Sequence, residues 1–341
     1  MTRMFASLSI LSDPISRLFE KPKLNKQNVL VIGYGWGSAA FVQGLDTTKY
    51  NVKVVSTRPR RLNQPRMIND LAPTYNEPPP SLPILEDECL ALEDARKFVV
   101  CKKQVHTYDY LVIATGSEVN DFGIPGIKKN CLMLKTEEDI EKLNSALKTH
   151  SPITIAGAGP TGLELAFRLN SSKSPVTVLE ASPTILPGFS PQMQSAITTL
   201  LEKKQIRVLL NQKITGIDPT CWKTATGPVP INGPAIWTCG IRPTQFAREL
   251  NLQPDSKLQV RPDVYAIGDC IRGHGPPTAQ NAKQQGQYLA TLFNKDFNHE
   301  DYKFVEKGRV IDATDRLIVD INGHITEFPG ILRTLFYKFI E

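Results

Sequence analysis

The 341-residue sequence predicts an α/β fold with two parallel sheets. Three observations point to it. β-Branched runs at 28–33 (NVLVIG) and 152–157 (PITIAG) each break into glycines, as buried parallel strands entering tight turns do. Each is followed by a helical stretch and then by a second such run, at 51–56 (NVKVVS) and 175–180 (PVTVLE). The βαβ unit therefore occurs twice, and a duplicated unit is a stronger signal than either copy alone.

In the first copy a helix is expected at 38–45, a proline-rich loop at 71–83 and a strand at 109–114 (DYLVIA). In the second copy helices are expected at 161–170 and 192–204, with a strand at 206–210. The stretch 211–236 has room only for a reduced β-meander, and a strand at 263–268 (DVYAIG) leads into a glutamine-rich helix, PPTAQNAKQQGQYLA, at 276–290. Strand–helix alternation of this kind places ligands at the carboxyl ends of the strands.

Composition narrows the function. Hydrophobic content of 41% and charged content of 22% are globular values. The six cysteines are scattered without a C-x-x-C pair, which argues against a disulfide framework, a structural zinc site and a dithiol redox centre, so no metal is expected. Net charge is +6, with basic clusters at 21–26 and 58–66 but no interleaved aromatics. Nucleic-acid binding is therefore not expected, and an anionic membrane surface is the better use for the charge. No apolar run approaches the roughly 20 residues of a spanning helix. At the N-terminus Leu8, Leu11, Ile15 and Leu18 stand near helical spacing with Arg3 and Arg17, which reads as an organellar presequence or as a loosely docked tail.

The first glycine turn, GYGWGS, has Gly33 and Gly35 in place, then Trp36 and Gly37, with Ser38 in the third slot. The second, GAGPTG, matches G-x-G-x-x-G with Gly157, Gly159 and Gly162 and carries Pro160 and Thr161. The first glycine permits the bend. The second lets backbone N–H groups approach a pyrophosphate, whose charge the helix N-terminus stabilises. A glycine turn without a ligand is the alternative for each copy. An acidic residue at the end of the next strand holds a ribose hydroxyl pair. Glu180 occupies that place in the second copy and Ser56 in the first. The second unit thus reads as an NAD site, since a carboxylate repels a 2′-phosphate. The first reads as an adenine-dinucleotide site in which Arg58 and Arg60 can meet phosphate. Two such sites imply a relay, with FAD resident in the first and NADH visiting the second.

Taken in order over about 28–341, these segments resemble the type II (single-subunit, non-proton-pumping) NADH dehydrogenases, peripheral membrane flavoproteins of the two-dinucleotide-domain disulfide-reductase fold. IGYGWGSAAFVQGLD, YDYLVIATGSEVNDFGIPGI, IAGAGPTGLELA, VYAIGDC and PPTAQNAKQQGQYLA carry the likeness. It implies two nested Rossmann-like, three-layer dinucleotide-binding domains plus a C-terminal membrane-associating segment. The implied division is an N-terminal tail at 1–26, an FAD-binding domain at 27–117 and 238–295, an NADH-binding domain at 118–237 and a membrane-anchoring region at 296–341.

By the same resemblance Gly33, Gly35 and Ser56 hold the FAD adenosine end, Thr115 and Gly116 close over the nucleotide, and Asp269 holds the ribityl chain. Gly157, Gly159, Gly162 and Glu180 bind NADH. Trp36, Gly37, Ser38, Arg58, Pro160, Thr161, Gly240 and Ala279 join them as cofactor-binding positions, and Glu164 lies near the nicotinamide. A first-turn glutamate favouring the helix dipole is the alternative for Glu164. Gln280 and Gln284, four apart on one helix face, are implied to meet a quinone headgroup, while Gln285 and Gln287 are left to the surface. The small residues Ala279, Ala282, Gly286 and Ala290 are expected to let that helix pack closely. In FPGILRTLFYKFIE the apolar positions repeat at helical spacing, with Arg333 and Lys338 to reach lipid headgroups, and a helix docked on the core is the alternative.

The implied activity is a non-electrogenic, FAD-dependent NADH:quinone oxidoreductase at a membrane surface, either the mitochondrial inner membrane or a cytoplasmic membrane face, with a homodimer allowed. The alternatives are an apoptosis-inducing-factor-like NAD(P)H oxidoreductase with another acceptor and a degenerate, non-catalytic flavoprotein. Residues 66–108 and 211–237 look shorter than the family's usual segments, and Thr238-Cys239-Gly240 stands where the family prefers Ala-Thr-Gly.

Overall fold

In the computed structural model, which describes residues 26–79, 82–170 and 174–340, each glycine turn leaves the central strand of its own sheet. The N-terminal stretch read as a presequence or a loosely docked tail lies, up to residue 25, outside the described residues.

The first sheet has the strand order Gln259–Arg261, Val264–Ala266, Tyr110–Ile113, Gln27–Ile32, Tyr50–Ser56, Ile84–Glu86. All neighbours run parallel except the Gln259–Arg261 edge. The second is parallel throughout, in the order Arg207–Leu209, Val176–Leu179, Ile153–Ala156, Ala235–Trp237. In both, the strand before the glycine turn sits between the next strand of its unit and a strand reached later in the chain. Side chains on the central strands are almost wholly buried, which is why they read as unbroken apolar runs rather than alternating ones.

The helix Trp36–Gly44 and the glutamine helix Ala279–Asn294 lie against one another through small residues. A Cβ on Gly286 would stand 2.1 Å from the Gly37 carbonyl oxygen, and one on Gly44 would stand 3.0 Å from the Ala290 Cβ. Phe41 and Phe293 close the same contact edge to face, with ring centroids 5.3 Å apart. The expected close packing is thus a backbone-to-backbone approach that even a methyl group at Gly286 would prevent.

Among the described residues two two-stranded sheets, Arg61–Leu62 with Tyr75–Asn76 and Ser117–Val119 with Ile241–Pro243, and three three-stranded ones accompany the two larger sheets. The meander expected near 211–236 is present as Ile214–Ile217, Cys221–Thr224 and Gly227–Pro230, with Trp222 buried beneath it. A second, Cys89–Glu93, Phe98–Cys101 and Val105–Thr107, falls where no regular structure was assigned. The third, Arg309–Asp312, Arg316–Ile321 and His324–Pro329, occupies the region expected to serve as a membrane anchor. Its Ile311, Ala313 and Ile318 are buried in one cluster with Leu163, Met193 and Ile197 of the second unit. A 3₁₀ turn at Gly330–Leu332 and the helix Arg333–Ile340 follow. Among the described residues no helix is long and apolar enough to cross a membrane.

Candidate active site

Both glycine turns open into one cleft of about 1940 Å³. That is roughly twice the upper end for a site built around one drug-sized ligand. Gly33, Gly35, Trp36, Gly37, Ser56 and Arg58 line it from the first unit. Gly157, Gly159, Pro160, Thr161, Glu164 and Glu180 line it from the second. Thr115, Gly116, Gly240, Asp269, Ala279 and Gln280 also face it. Ser38, Gly162 and Gln284 do not.

The glycines divide by what surrounds them. At Gly33 (φ +94°) a Cβ would stand 2.4 Å from the Ala114 carbonyl oxygen, and at Gly162 it would stand 2.0 Å from the Gly157 oxygen. Their smallness is demanded by the chain itself. Gly35 and Gly159 have no atom within 4 Å of a built Cβ, and both line the cleft. Space that the fold leaves open in front of a motif glycine is a cradle for a ligand that approaches the backbone closely, as a pyrophosphate does. Ser38, expected at the nucleotide, instead braces the turn. Its hydroxyl accepts the Gly35 N–H at 2.8 Å and donates to the Gly35 oxygen at 3.2 Å. Gly159→Ala is accordingly expected to leave thermal stability within about 0.5 kcal/mol while raising the NADH KM at least about tenfold. Gly162→Ala should cost roughly 1–3 kcal/mol by overpacking. Paired melting curves and NADH titrations check this, and equal melting losses in both variants would contradict the division.

At the ribose positions, Glu180 is 8% exposed and its two oxygens accept the Ala158 and Ser182 N–H groups, each at 2.8 Å. Each carboxylate oxygen keeps a lone pair for a further donor such as a hydroxyl. The Ser56 hydroxyl accepts the Arg58 N–H at 3.2 Å. The basic cluster near 58–66 turns toward the cleft, with Arg58, Arg60 and Arg61 on its wall. Arg61 lies over the Trp36 ring at 3.9 Å and Arg60 over Tyr75 at 4.3 Å, which fixes both guanidinium groups on the cleft wall.

A polar chain missed in the sequence runs along the cleft wall. The Lys135 ammonium donates to the Ser117 hydroxyl at 3.0 Å and to Gln64 Oε1 at 3.3 Å, and Ser117 donates to Asp269 Oδ2 at 2.9 Å. Burial pushes the Lys135 pKa below the usual lysine range, against the pull of Asp269. The available signal was Lys135 directly before the Thr136 helix cap, which fixes its backbone through Asp139.

Glu164 sits on the cleft wall with Oε1 accepting the Asp312 N–H at 3.1 Å. Burial pushes its carboxyl up to about 8, with the Asp312 charge adding to the rise and Arg333 opposing it, so it is mainly protonated at neutral pH. Arg333 was expected to reach outward to lipid. Instead its guanidinium bonds the 1%-exposed Asp312 carboxylate and the Thr314 carbonyl, because a buried carboxylate needs a cation more than a headgroup does.

The glutamines differ from expectation as well. Gln280 Oε1 accepts the Lys307 N–H at 2.9 Å and its amide nitrogen donates to the Gly308 oxygen at 3.4 Å. Gln284 exchanges both bonds with the Val305 backbone, at 3.0 and 2.8 Å, and so lies outside the cleft. The shared helix face exists, but the extended 304–308 segment covers it. Gln285, expected on the surface, is 1% exposed; its amide accepts the Gly268 N–H at 2.6 Å and donates to the His274 carbonyl at 3.0 Å. It orders the turn that presents Asp269. Gln287 is exposed, as expected.

Two largely parallel sheets, each delivering a glycine turn and the end of its next strand into one cleft, define a two-dinucleotide α/β protein. The chain belongs to the pyridine nucleotide-disulphide oxidoreductase family, whose sequence profile matches residues 27–286. It is 28% identical to a probable mitochondrial NADH-ubiquinone oxidoreductase of Schizosaccharomyces pombe over 85% of this chain and 66% of that protein. It is 27% identical to external NADH-ubiquinone oxidoreductase 2 of Saccharomyces cerevisiae over 82% and 65%. The chain thus spans just under two thirds of the length of these relatives. Its fold is similar to the structure of NDH2 from Plasmodium falciparum in complex with NADH, with a TM-score of 0.81 at 19% identity over 92% of this chain and 94% of that one. The sulfide:quinone oxidoreductase of Aquifex aeolicus follows the same fold with a TM-score of 0.75 at 16% identity, over 92% and 90%.

Proposed function

We propose that the chain is a non-electrogenic, FAD-dependent NADH:quinone oxidoreductase. The carrying observation is the single cleft that receives both glycine turns and that Leu317, Val319, Phe336 and Gln280 also line. A bound FAD would supply the two-electron redox chemistry that links NADH to a quinone.

The residues fit that group. Gly35 leaves the open cradle, Arg58 and Arg60 offer charge to phosphate, and Lys135, Ser117 and Asp269 form a donor–acceptor chain along the wall. Glu180 reserves the second turn for a nucleotide without a 2′-phosphate. Glu164 holds a proton on the cleft wall at neutral pH. Leu317, Val319 and Phe336 exclude water and suit a neutral ring with a hydrocarbon tail. In this reading 27–117 and 238–295 form the FAD-binding domain and 118–237 the NADH-binding domain. The region 296–341 covers the cleft and contacts a membrane surface, a role supported by Ile331 and Leu335, four apart and 88% and 64% exposed. The mitochondrial names of the relatives favour the mitochondrial inner membrane as that surface.

Steady-state assays of the purified, flavin-loaded protein test the proposal. NADH oxidation should depend on added short-chain ubiquinone, with NADPH at least about tenfold poorer in kcat/KM. A rate that ignores the quinone would sink it.

A further inference from the structure

Three metal-ligating side chains meet at the small sheet that the sequence did not reveal, and a fourth, Cys89, touches one of them. Cys89 and Cys101 are direct cross-strand partners. The Lys102 N–H donates to the Glu88 carbonyl at 2.9 Å, which makes them a non-hydrogen-bonded pair, the kind whose side chains come closest. Their Sγ atoms are 3.2 Å apart. On the next strand His106 stands opposite Val99, two residues from Cys101 and therefore on the same face. Asp87 enters from the end of the strand Ile84–Glu86. Ligand atoms of Asp87, Cys101 and His106 all lie within 4.8 Å of one another, and the three residues are 6%, 5% and 5% exposed.

Two further observations point to a ligand. His106 Nε2 is buried with no hydrogen-bond partner, a state that folded proteins avoid. Asp87 Oδ1 accepts two backbone N–H groups, from Glu88 and Lys103, and Oδ2 shares the second. These bonds fix the carboxylate while leaving one of its four acceptor directions open.

We propose that Asp87, Cys101 and His106 form a structural site for a thiophilic divalent cation, with Cys89, whose Sγ touches that of Cys101, drawn in as the fourth ligand; the ligand chemistry is that of zinc. Two thiolates, one imidazole nitrogen and one carboxylate oxygen are a tetrahedral zinc set. Binding releases the two thiol protons to solvent and moves no electrons. A disulfide between Cys89 and Cys101 would use only two of the four groups and leave His106 Nε2 unpartnered. The site's consequence is local: the Asp87 N–H donates to the Ser56 carbonyl at 3.0 Å, and Asp87 and Cys89 reach the cleft wall, so the cation would tie the small sheet to the strand end that carries Ser56.

The test is metal analysis of the full chain, purified without reductant or strong chelator and dialysed, followed by exchange with cobalt(II). About one zinc per chain is expected, with a thiolate-to-cobalt charge-transfer band in the exchanged protein. Cys101→Ser and His106→Gln should each lower retained zinc at least about tenfold. Wild-type protein holding less than about 0.1 zinc per chain and giving no thiolate–cobalt band overturns the proposal. So does a Cys89–Cys101 disulfide found by peptide mapping, or full zinc retention in folded variants. If both variants fail to fold by circular dichroism, the wild-type zinc count and cobalt band decide by themselves.

Discussion

Asp312→Ala is expected to destabilise the protein by about 3 kcal/mol, the lower end of the cost of breaking a buried ion pair. Asp312 is 1% exposed and bonds the Arg333 guanidinium through both oxygens, one at 2.9 Å. It also accepts the Thr314 N–H at 2.9 Å. Removing it leaves a cation lodged in the fold, which is dearer than the loss of the contact itself. The Arg333 side chain keeps 23% exposure, which sets the estimate at the low end of the range. The double variant Asp312→Leu/Arg333→Met removes both charges and should recover most of the loss. Urea unfolding of the three proteins checks this. A single-variant loss below about 1 kcal/mol would show that the pair does not hold the C-terminal sheet to the cleft.

Glu164→Gln is the second. Because the folded carboxyl titrates at about 8, above its unfolded value of 4.5, the wild type gains stability from the neutral form that is fully present below pH 4.5. That gain is lost progressively as pH rises toward 8. Glutamine mimics the neutral form at every pH, so the variant should become more stable relative to wild type across this window. The gap should reach roughly 1–3 kcal/mol after allowance for the part of Glu164 open to the cleft. The same ionisation adds negative charge beside the nucleotide turn. The wild-type NADH KM should therefore rise above pH 8 while that of the variant stays flat. Superimposable pH profiles of the two proteins would contradict the assignment.

How much of this was visible beforehand depends on the range of the determining contacts. The strands beside both glycine turns were placed to within a residue or two, since β-branched runs ending in glycine are set by local backbone demands. Glu180 and Ser56 followed from the spacing that a βαβ unit imposes. The sheet at 89–107 was missed because its strands are only three to five residues long and its first turn uses Lys97 at φ 51° instead of a glycine. Cys89 and Cys101 therefore looked scattered, for spacing rules detect ligands that share a loop, whereas these meet only through strand pairing. The glutamine helix failed differently. Its periodicity gave the correct shared face for Gln280 and Gln284 but not the 304–308 segment that takes up their amides. The surface reading of Gln285 failed because a neutral amide can be buried whenever backbone groups satisfy it, as those of Gly268 and His274 do here. Arg333 was drawn inward by Asp312, a partner 21 residues away that no helical pattern reveals.

The central claim is that one cleft passes electrons from NADH to a quinone by way of a resident flavin. The most direct measurement is anaerobic: flavin absorbance of the purified protein is followed after adding NADH, and then after adding a short-chain ubiquinone. NADH should bleach the flavin absorbance and the quinone should restore it. A preparation without flavin, a flavin that NADH leaves yellow, or one that stays bleached when the quinone arrives would contradict the account.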